Sequence, residues 1–246
     1  MKISYGRLTD KGTREHNEDS TGVAERDGAF CFVLADGLGG HSRGEVASGL
    51  AVQEVLACFS ESVDPVGTLG DAFERAQKKI LDCQASQAEL KYMKTTMVAL
   101  VINGDIGRWC HIGDSRLYRF TGSRYKERTR DHSVPQMLFE SRQIRESDIR
   151  HHPDRSRLLR VIGSPWETGS YDLSDEYRFS LRKREAFLLC SDGFWELVEE
   201  KRMAETLKAA DTPEQWLNAM RIEVLKNGAG TDMDNYSAIG VFVEKN

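Results

Sequence analysis

The chain has 246 residues, of which 39% are hydrophobic, so it can bury a sizeable core in one large domain or in two small ones. Its formal charge of −5 comes from 39 acidic and 34 basic residues, and neither sign forms a long block. The composition therefore favours neither a nucleic-acid backbone nor an anionic membrane as partner, whereas a phosphorylated protein stays open. We interpret residues 1–246 as one domain.

The cysteines and the amino terminus indicate a compartment. Cys31, Cys58, Cys83, Cys110 and Cys190 are odd in number, far apart and mostly inside apolar segments, which is typical of reduced core thiols. The amino terminus has no charged-then-apolar leader pattern, and no apolar run approaches the roughly 18 residues of a membrane span. We expect a soluble, cytoplasmic protein, and a monomer because no long exposed apolar stripe demands a partner.

The predicted elements alternate between strands and helices. Apolar or alternating runs predict strands near residues 2–8, 29–35, 96–102, 106–112, 116–120, 186–190 and 237–243. Asn103-Gly104 predicts a hairpin turn. Helical spacing predicts one helix from Ala47, Leu50, Ala51, Val55 and Cys58, and a second from Leu69, Phe73, Ala76 and Ile80. Capping-box patterns at Ser42–Glu45 and Thr212–Gln215 predict two helix starts. This order favours a mostly antiparallel α+β domain over a parallel doubly wound one.

Three strand-like runs stop at an aspartate next to a glycine, at Asp36, Asp114 and Asp192. A carboxylate at the end of a buried strand is tolerated mainly when a cation or hydrogen-bond donors offset its charge. Asp19 and Asp234 are further candidates. Any one of these residues alone is more often a turn cap than a ligand, but together they suggest one shared metal site.

Hard cations such as Mg²⁺ and Mn²⁺ take oxygen ligands, and two of them about 3.5–4 Å apart can clamp a phosphoryl group during displacement. Glycine after Asp36 and Asp192 predicts a tight turn that lets a backbone carbonyl face a metal as well.

Residues 130–165 differ from the rest of the chain, because Arg130-Asp-His-Ser opens a segment rich in arginine, histidine and serine. The segment is either a solvated helical excursion on the sheet or a mobile flap beside a site. The adjacent His151 and His152 do not converge easily on one ion from an extended backbone, so we interpret them as structural flap residues.

Five groups of residues resemble, in order, the metal-dependent Ser/Thr protein phosphatases of the PP2C (PPM) type. They are Arg14-Glu-His-Asn17-Glu18-Asp19, Asp36-Gly37-Leu38-Gly39-Gly40-His41 with Gly44-Glu45-Val-Ala-Ser48, Ile112-Gly-Asp114-Ser-Arg116, Ser191-Asp192-Gly193 and Asp234-Asn235. The resemblance covers nearly the whole chain. It implies a four-layer α-β-β-α sandwich of two mostly antiparallel sheets flanked by helices, with a flap subdomain at about residues 131–165 as in the bacterial branch.

The resemblance also implies a role for each acidic residue. Asp36 would bridge two Mn²⁺ or Mg²⁺ ions, and the Gly37 carbonyl would bind one of them. Asp192 and Asp234 would bind the other, while Asp19 would act through a water molecule.

Asp114, together with Asp192, matches a third and weaker metal site of bacterial members. Arg14 corresponds to the phosphate-binding arginine of the family, and its planar fork suits bidentate contact with phosphate oxygens. We assign Arg14, Asp36 and Asp192 to catalysis. Leu38 stands where eukaryotic relatives carry a histidine proposed as general acid, so the leaving-group proton must come from water or another residue.

These features predict a Mn²⁺- or Mg²⁺-dependent enzyme that hydrolyses phosphoserine and phosphothreonine in proteins with a metal-activated water and opposes a bacterial Ser/Thr kinase. Cys190 is read as a buried structural thiol, and Ser115 is not a nucleophile because Leu117 replaces the second glycine of a nucleophile elbow. One alternative is a non-catalytic module that binds phosphoproteins, which would be marked by a lost metal carboxylate. Another is a calcium-binding module at Asp232–Asn235, but the residues that follow do not supply an EF-hand pattern.

Overall fold

The computed structural model describes residues 1–39, 43–167, 169–180 and 182–245. The strands are β1 (Lys2–Asp10), β2 (Asp19–Arg26), β3 (Ala29–Leu38), β4 (Lys94–Thr95), β5 (Met97–Asn103), β6 (Ile106–Ile112), β7 (Arg116–Thr121), β8 (Arg124–Arg128), β9 (Asp172–Leu173), β10 (Tyr177–Arg178), β11 (Glu185–Cys190) and β12 (Tyr236–Glu244). The helices are α1 (Arg43–Glu61), α2 (Leu69–Ser86), α3 (Val134–Glu140), α4 (Glu146–Ile149), α5 (Asp192–Trp195), α6 (Glu200–Ala209) and α7 (Pro213–Asn227).

The strands form two sheets in which the pairings between described strands are antiparallel. One sheet has the order β1-β12-β11-β7-β8, and the other has the order β10-β6-β5-β3-β2, with β4 and β9 added beside β3 and β6. The chain enters the first sheet, crosses to the second and returns, so its first and last strands pair along their whole length, from Lys2 opposite Glu244 to Asp10 opposite Tyr236.

Three buried layers follow from strand alternation. Phe32 and Leu34 of β3 point between the sheets, where they join residues of β11 and β12. Cys31 and Val33 point to the opposite face and pack under α1 and α2. The outer face of the other sheet packs against α5, α6 and α7, with Trp195 and Trp216 as the largest buried side chains there. The predicted four-layer α+β sandwich is confirmed.

The predicted strands and both helical stripes are present, and Thr212 caps α7 by accepting a hydrogen bond from the backbone N–H of Gln215. The hairpin is confirmed, with Gly104 and Asp105 as its turn residues. The capping box predicted at Ser42 lies outside the described residues. The strands β2 and β8 and the two-residue strands β4, β9 and β10 were not predicted. Four of the five residues of β8 are exposed, so β8 has no apolar alternation to detect.

The flap segment predicted at residues 131–165 contains α3 and α4. Isolated backbone bridges join Ser133 to Leu158 within it and Thr95 to Ile162 at its return to the sheet. Among the described residues, no helix combines the length and apolar character that crossing a bilayer requires.

The inter-sheet layer carries a testable share of the stability. Phe187 of β11 is fully buried between the sheets, and its ring lies 6.0 Å from that of Phe179 and 6.3 Å from that of Trp109. We expect Phe187→Ala to lower the free energy of unfolding by about 3–5 kcal/mol, because the cavity cannot be filled from either sheet. Urea denaturation measures this change. Val63→Ala, at a fully exposed position, should change it by less than about 0.5 kcal/mol, and a loss below about 1 kcal/mol at Phe187 would contradict the assigned packing.

Candidate metal and phosphate site

Two of the predicted carboxylates meet across a strand pair. Asp19 begins β2 and lies directly opposite Asp36 of β3, so their side chains emerge on one face of the sheet. The backbone N–H of Gly37 donates to the carbonyl of Glu18 at 3.1 Å, which fixes the register at this end. On the other edge of β3, Thr95 Oγ1 donates to the Asp36 carbonyl at 2.8 Å. The strand that carries Asp36 is therefore held from both sides.

The other sheet supplies Asp192 and Asp234. Asp192 is the first residue of α5, directly after β11, and Asp234 stands two residues before β12. Ser191 connects the two sheets: its Oγ accepts a hydrogen bond from the Ser237 N–H at 3.0 Å and donates one to Asp19 Oδ2 at 2.8 Å. The carboxylates of the two sheets consequently converge only when the sheets pack.

Asp19 is buried, Asp36 and Asp192 are half-buried, and none of these three forms an ion pair with a described cation, whereas Asp234 is exposed. Burial, followed by the charges of Asp19 and Asp192, raises the pKa of Asp36 well above its usual value. Burial also raises the pKa of Asp19 to about 6, although hydrogen bonds with Ser237 and Ser191 lower it in part. Burial raises the pKa of Asp192 to about 7, and repulsion from Glu196 and Asp234 raises it further. Asp19 Oδ1 is buried and has no hydrogen-bond partner among the described residues. Such a set of oxygen donors fits hard divalent cations.

Gly37 does not form the tight turn that the sequence predicted, because it stays within the extended strand β3. Glycine is required there for a different reason. A Cβ at this position would lie 2.2 Å from the Gly44 carbonyl oxygen and 2.7 Å from that of Glu18. Gly193 is similar, since its Cβ would lie 2.1 Å from the carbonyl oxygen of Asn235. Both glycines allow backbone segments to approach closely beside the acids.

Asp114 follows β6 through Gly113, whose φ is +94°. The Asp114 carbonyl accepts a hydrogen bond from Trp195 Nε1 of α5 at 2.9 Å. This bond ties Asp114 to the helix that begins at Asp192. Burial and then the charges of Asp192 and Asp131 raise its pKa well above the usual value. Asp114 therefore belongs electrostatically to the same cluster.

Arg14 lies at the rim of the cluster. Its Nη2 donates to Asp234 Oδ2 at 3.1 Å, and its Nη1 lies 3.8 Å from Asp232 Oδ2, with about half of its side chain exposed. Asn235 fixes this loop, because its Nδ2 donates to the carbonyls of Lys11 and His16 while its Oδ1 accepts from the N–H of Glu18.

Six of the predicted site residues line one cavity of about 570 Å³. The predicted residues that line it are Arg14, Asp36, Gly37, Asp114, Asp192 and Asp234. Asp19 is not in its lining, although its charge raises the pKa values of Asp36 and Asp192. The lining also includes Ser156 and Leu158 of the flap segment, Leu38, and residues of the loop that carries Arg14.

The aspartates are not grouped around a single point. Within the part of the chain that the structure describes, the side chains that place three ligand atoms within 4.8 Å of one another are His111, His132 and Asp172, not any three of these acids. Ligands of one Mn²⁺ or Mg²⁺ ion lie within about 4.5 Å of one another, so Asp36, Asp192 and Asp234 would have to move closer together to hold a single ion as the resemblance implies.

Several residues of the site were not singled out from the sequence. Ser156 and Leu158 give no local signal, because their roles depend on partners far away in the chain. Glu18, Ser191 and Asn235 were recognised only as parts of motifs, although Ser191 joins the two sheets and Asn235 joins two loops. Cys190 and Ser115 are fully buried, and burial raises the pKa of the Cys190 thiol far above its usual range, which agrees with their structural interpretation.

A two-sheet α+β sandwich with an acidic, arginine-rimmed cavity where the sheets meet is the arrangement of a metal-dependent phosphatase. A family model described as Protein phosphatase 2C matches residues 11–227, and the chain belongs to this family.

The similar proteins are bacterial serine/threonine phosphatases. The chain is 32% identical over 212 residues to the serine/threonine phosphatase stp of Listeria monocytogenes, an alignment that covers 83% of this chain and 82% of that protein. It is 33% identical over 243 residues to PstP of Mycobacterium tuberculosis, covering 94% of this chain and 44% of that protein. The predicted bacterial PP2C-type membership is confirmed.

Solved structures of bacterial phosphatases have the same fold as this chain. Stp1 of Staphylococcus aureus superposes with a TM-score of 0.89 at 26% identity, covering 100% of this chain and 96% of that chain. The catalytic domain of PstP, solved in complex with two manganese ions, gives a TM-score of 0.84 at 25% identity and covers 99% of both chains.

The acidic cluster should make the chelator-treated protein sensitive to pH. Because the folded-state pKa values of Asp19 and Asp192, about 6 and about 7, lie above the unfolded value of 3.8, the folded protein binds protons more tightly than the unfolded chain. This stabilisation is complete below about pH 4 and is lost as the pH rises through 6 and 7. Because each unit of pKa difference corresponds to about 1.4 kcal/mol, we expect the free energy of unfolding to fall over this window by roughly 3–5 kcal/mol.

Denaturation with EDTA present, repeated from pH 4.5 to pH 8, measures this loss. Asp192→Asn should reduce it, because the amide carries no charge, whereas Asp71→Asn on the exposed surface of α2 should leave it unchanged. Added Mn²⁺ should cancel the loss in the unmutated protein. A stability that rises over the same window would contradict the assigned burial of the cluster.

Proposed function

We propose that the protein hydrolyses phosphoserine and phosphothreonine in other proteins at a binuclear Mn²⁺ or Mg²⁺ centre. The observation that carries the proposal is the convergence of four aspartate carboxylates from both sheets on one open cavity, where burial and mutual repulsion raise the pKa of Asp36 and Arg14 at the rim pairs only with Asp234 among them. Membership in the Protein phosphatase 2C family supports the same reaction.

The proposed ligands divide between the two sheets. Asp36 would bridge the two ions, the Gly37 carbonyl would complete one coordination shell, and Asp192 with Asp234 would hold the second ion. Asp19 would accept from a water molecule beside them, which agrees with its unpartnered Oδ1. Asp114, with Asp192, would hold a third and weaker ion. Bound together, these ions would supply an activated water and neutralise charge on the phosphoryl group.

The chain's own groups orient the substrate. Arg14 presents its guanidinium at the cavity rim, where a phosphate can replace part of its contact with Asp234 and accept two parallel hydrogen bonds. Leu38 lines the cavity and cannot donate a proton, so the leaving serine or threonine oxygen takes its proton from water or from another residue. No covalent phosphoenzyme is needed.

The biological setting is part of the proposal. The substrates would be phosphoproteins made by a bacterial Ser/Thr kinase, or the kinase itself, and the protein would act as a monomer in the cytoplasm. The five free thiols, four of them buried, suit such a reducing compartment.

Metal dependence tests the proposal directly. We expect phosphate release from a phosphothreonine peptide to stop when a chelator is added and to return with Mn²⁺. Asp36→Asn and Asp192→Asn should each lower kcat by at least about 100-fold, because a metal ion contributes several kcal/mol of transition-state stabilisation. Malachite-green detection measures the rate, circular dichroism checks the fold, and Asp71→Asn is the matched control. Unchanged activity in both variants would overturn the function.

Arg14 should act mainly through substrate binding. We expect Arg14→Ala to lower kcat/KM for a phosphopeptide by about tenfold or more, chiefly through a higher KM, and Arg14→Lys to lie between it and the unmutated protein because lysine keeps the charge but loses the fork. Steady-state kinetics separate the two parameters. Arg7→Ala, exposed on β1, is the control. Equal kinetics for Arg14→Ala and Arg7→Ala would remove Arg14 from the site.

A further inference from the structure

The first residues of the flap segment hold the turn that carries Asp114. The backbone N–H of His132 donates to the Gly113 carbonyl at 2.8 Å, and the backbone N–H of Gly113 donates to His132 Nδ1 at 3.2 Å. His132 thus forms hydrogen bonds with both the backbone N–H and the backbone carbonyl of Gly113. It is itself only 8% exposed, so water does not compete for these bonds.

Gly113 sets the direction in which Asp114 leaves the strand. Its φ of +94° is a conformation that side-chain-bearing residues rarely adopt, and a Cβ there would lie 2.5 Å from Thr96 Cβ. A rotation at this peptide would move the Asp114 carboxylate relative to Asp192. The bonds from His132 therefore bear on where Asp114 points.

A second contact fixes the far side of the same turn. Arg116 Nε and Nη2 donate to the two carboxylate oxygens of Asp131 at 2.8 and 2.6 Å. The Arg116 guanidinium lies 3.4 Å above the Trp195 ring, and Trp195 in turn donates to the Asp114 carbonyl. Residues on both sides of Asp114 are consequently tied to the start of the flap.

The hydrogen bonds assign the proton on His132. Since Nδ1 accepts, the neutral ring carries its proton on Nε2, which lies 3.4 Å from Asp172 Oδ2. Burial lowers the pKa of His132 to about 4, so the ring stays neutral and keeps its acceptor at neutral pH.

The same assignment argues against a metal at His111, His132 and Asp172, although their ligand atoms lie close together. A protonated Nε2 offers no lone pair. The two imidazole rings also stack, with centroids 4.9 Å apart and planes 17° from parallel, so their in-plane lone pairs do not converge on one ion.

We propose that His132 is a positioning residue: through its Nδ1 acceptor it holds Gly113 so that Asp114 faces the metal-binding cavity, and it thereby couples the flap segment to the metal ligands. This inference rests on the proposed function, because it gives Asp114 a part in metal binding.

Two isosteric substitutions separate the ring nitrogens. His132→Asn places an amide oxygen near the Nδ1 position and can still accept from Gly113, whereas His132→Gln places one near Nε2 and cannot. His152 provides the matched control, because its Nδ1 accepts a backbone N–H from Asp154 at 3.1 Å in a flap turn that does not touch Gly113. Asp172→Ala removes the carboxylate that lies 3.4 Å from Nε2, together with its 3.7 Å contact to Arg160, and leaves the bond to Nδ1 in place.

Mn²⁺ binding is measured by isothermal titration calorimetry, and Mn²⁺ dependence by phosphate release. Asp114→Asn defines the part of the affinity that depends on this carboxylate. We expect His132→Gln to weaken that part about tenfold, as loss of a supporting contact behind a metal ligand typically does. His132→Asn, Asp172→Ala and His152→Gln should stay within about threefold of the unmutated protein. Combined with Asp114→Asn, His132→Gln should add no further loss.

Three results would overturn the proposal: Asp114→Asn leaving Mn²⁺ affinity unchanged, His132→Gln binding Mn²⁺ like the unmutated protein, or His132→Asn losing as much as His132→Gln. Thermal denaturation reports whether each variant folds. If His132→Gln does not fold, His132→Asn decides alone, and a change above threefold refutes the Nδ1 role. Absence of phosphatase activity in the unmutated protein would instead refute the proposed function, while calorimetry would still test the positioning of Asp114.

Discussion

The structure depends on one electrostatic constraint, the burial of several carboxylates where two sheets meet. Asp36, Asp19 and Asp192 each have a pKa raised first of all by burial, and each repels its neighbours. Arg14 is half-exposed and reaches only the outermost acid, Asp234. Apolar packing between the sheets must hold these charges in place against their repulsion, and a cation bound at the proposed site would relieve that repulsion.

The same chain shows that a buried aspartate can be neutralised internally. Burial alone would raise the pKa of Asp131, yet the bidentate contact with Arg116 and the charge of Arg128 lower it below the usual value. Asp131 is as buried as Asp114, and only 15 residues separate Asp131 from Arg116 in sequence. Where a carboxylate serves the fold, an arginine accompanies it. Asp36, Asp114 and Asp192 of the cavity have no such ion pair among the described residues, and only the outermost acid, Asp234, contacts an arginine. This contrast supports a binding role more strongly than their burial does.

Much of the fold and the site followed from local pattern, and the exceptions share a cause. Apolar runs predicted β3, β5 and β11 because those strands are buried on both faces, whereas β2 and β8 lie at sheet edges and alternate little. The aspartate-glycine pairs predicted the acids but gave the wrong reason for Gly37, since a tight turn and a close backbone approach both select glycine. The bond from Ser191 to Asp19 spans 172 residues, and no local signal could reveal it.

Because each sheet contributes part of the cluster, metal binding and folding are linked in one set of side chains. An ion that contacts Asp36 and Asp192 together stabilises only the state in which the sheets are packed, so its binding free energy adds to the stability of the whole domain. The same linkage limits how the site can change. Replacing an acid by a neutral residue relieves repulsion in the metal-free fold but removes a ligand, so selection for stability alone would erase the site. The proposed metal site would therefore explain why Asp19, Asp36, Asp114 and Asp192 keep their carboxylates in buried or half-buried positions, where their mutual repulsion costs stability.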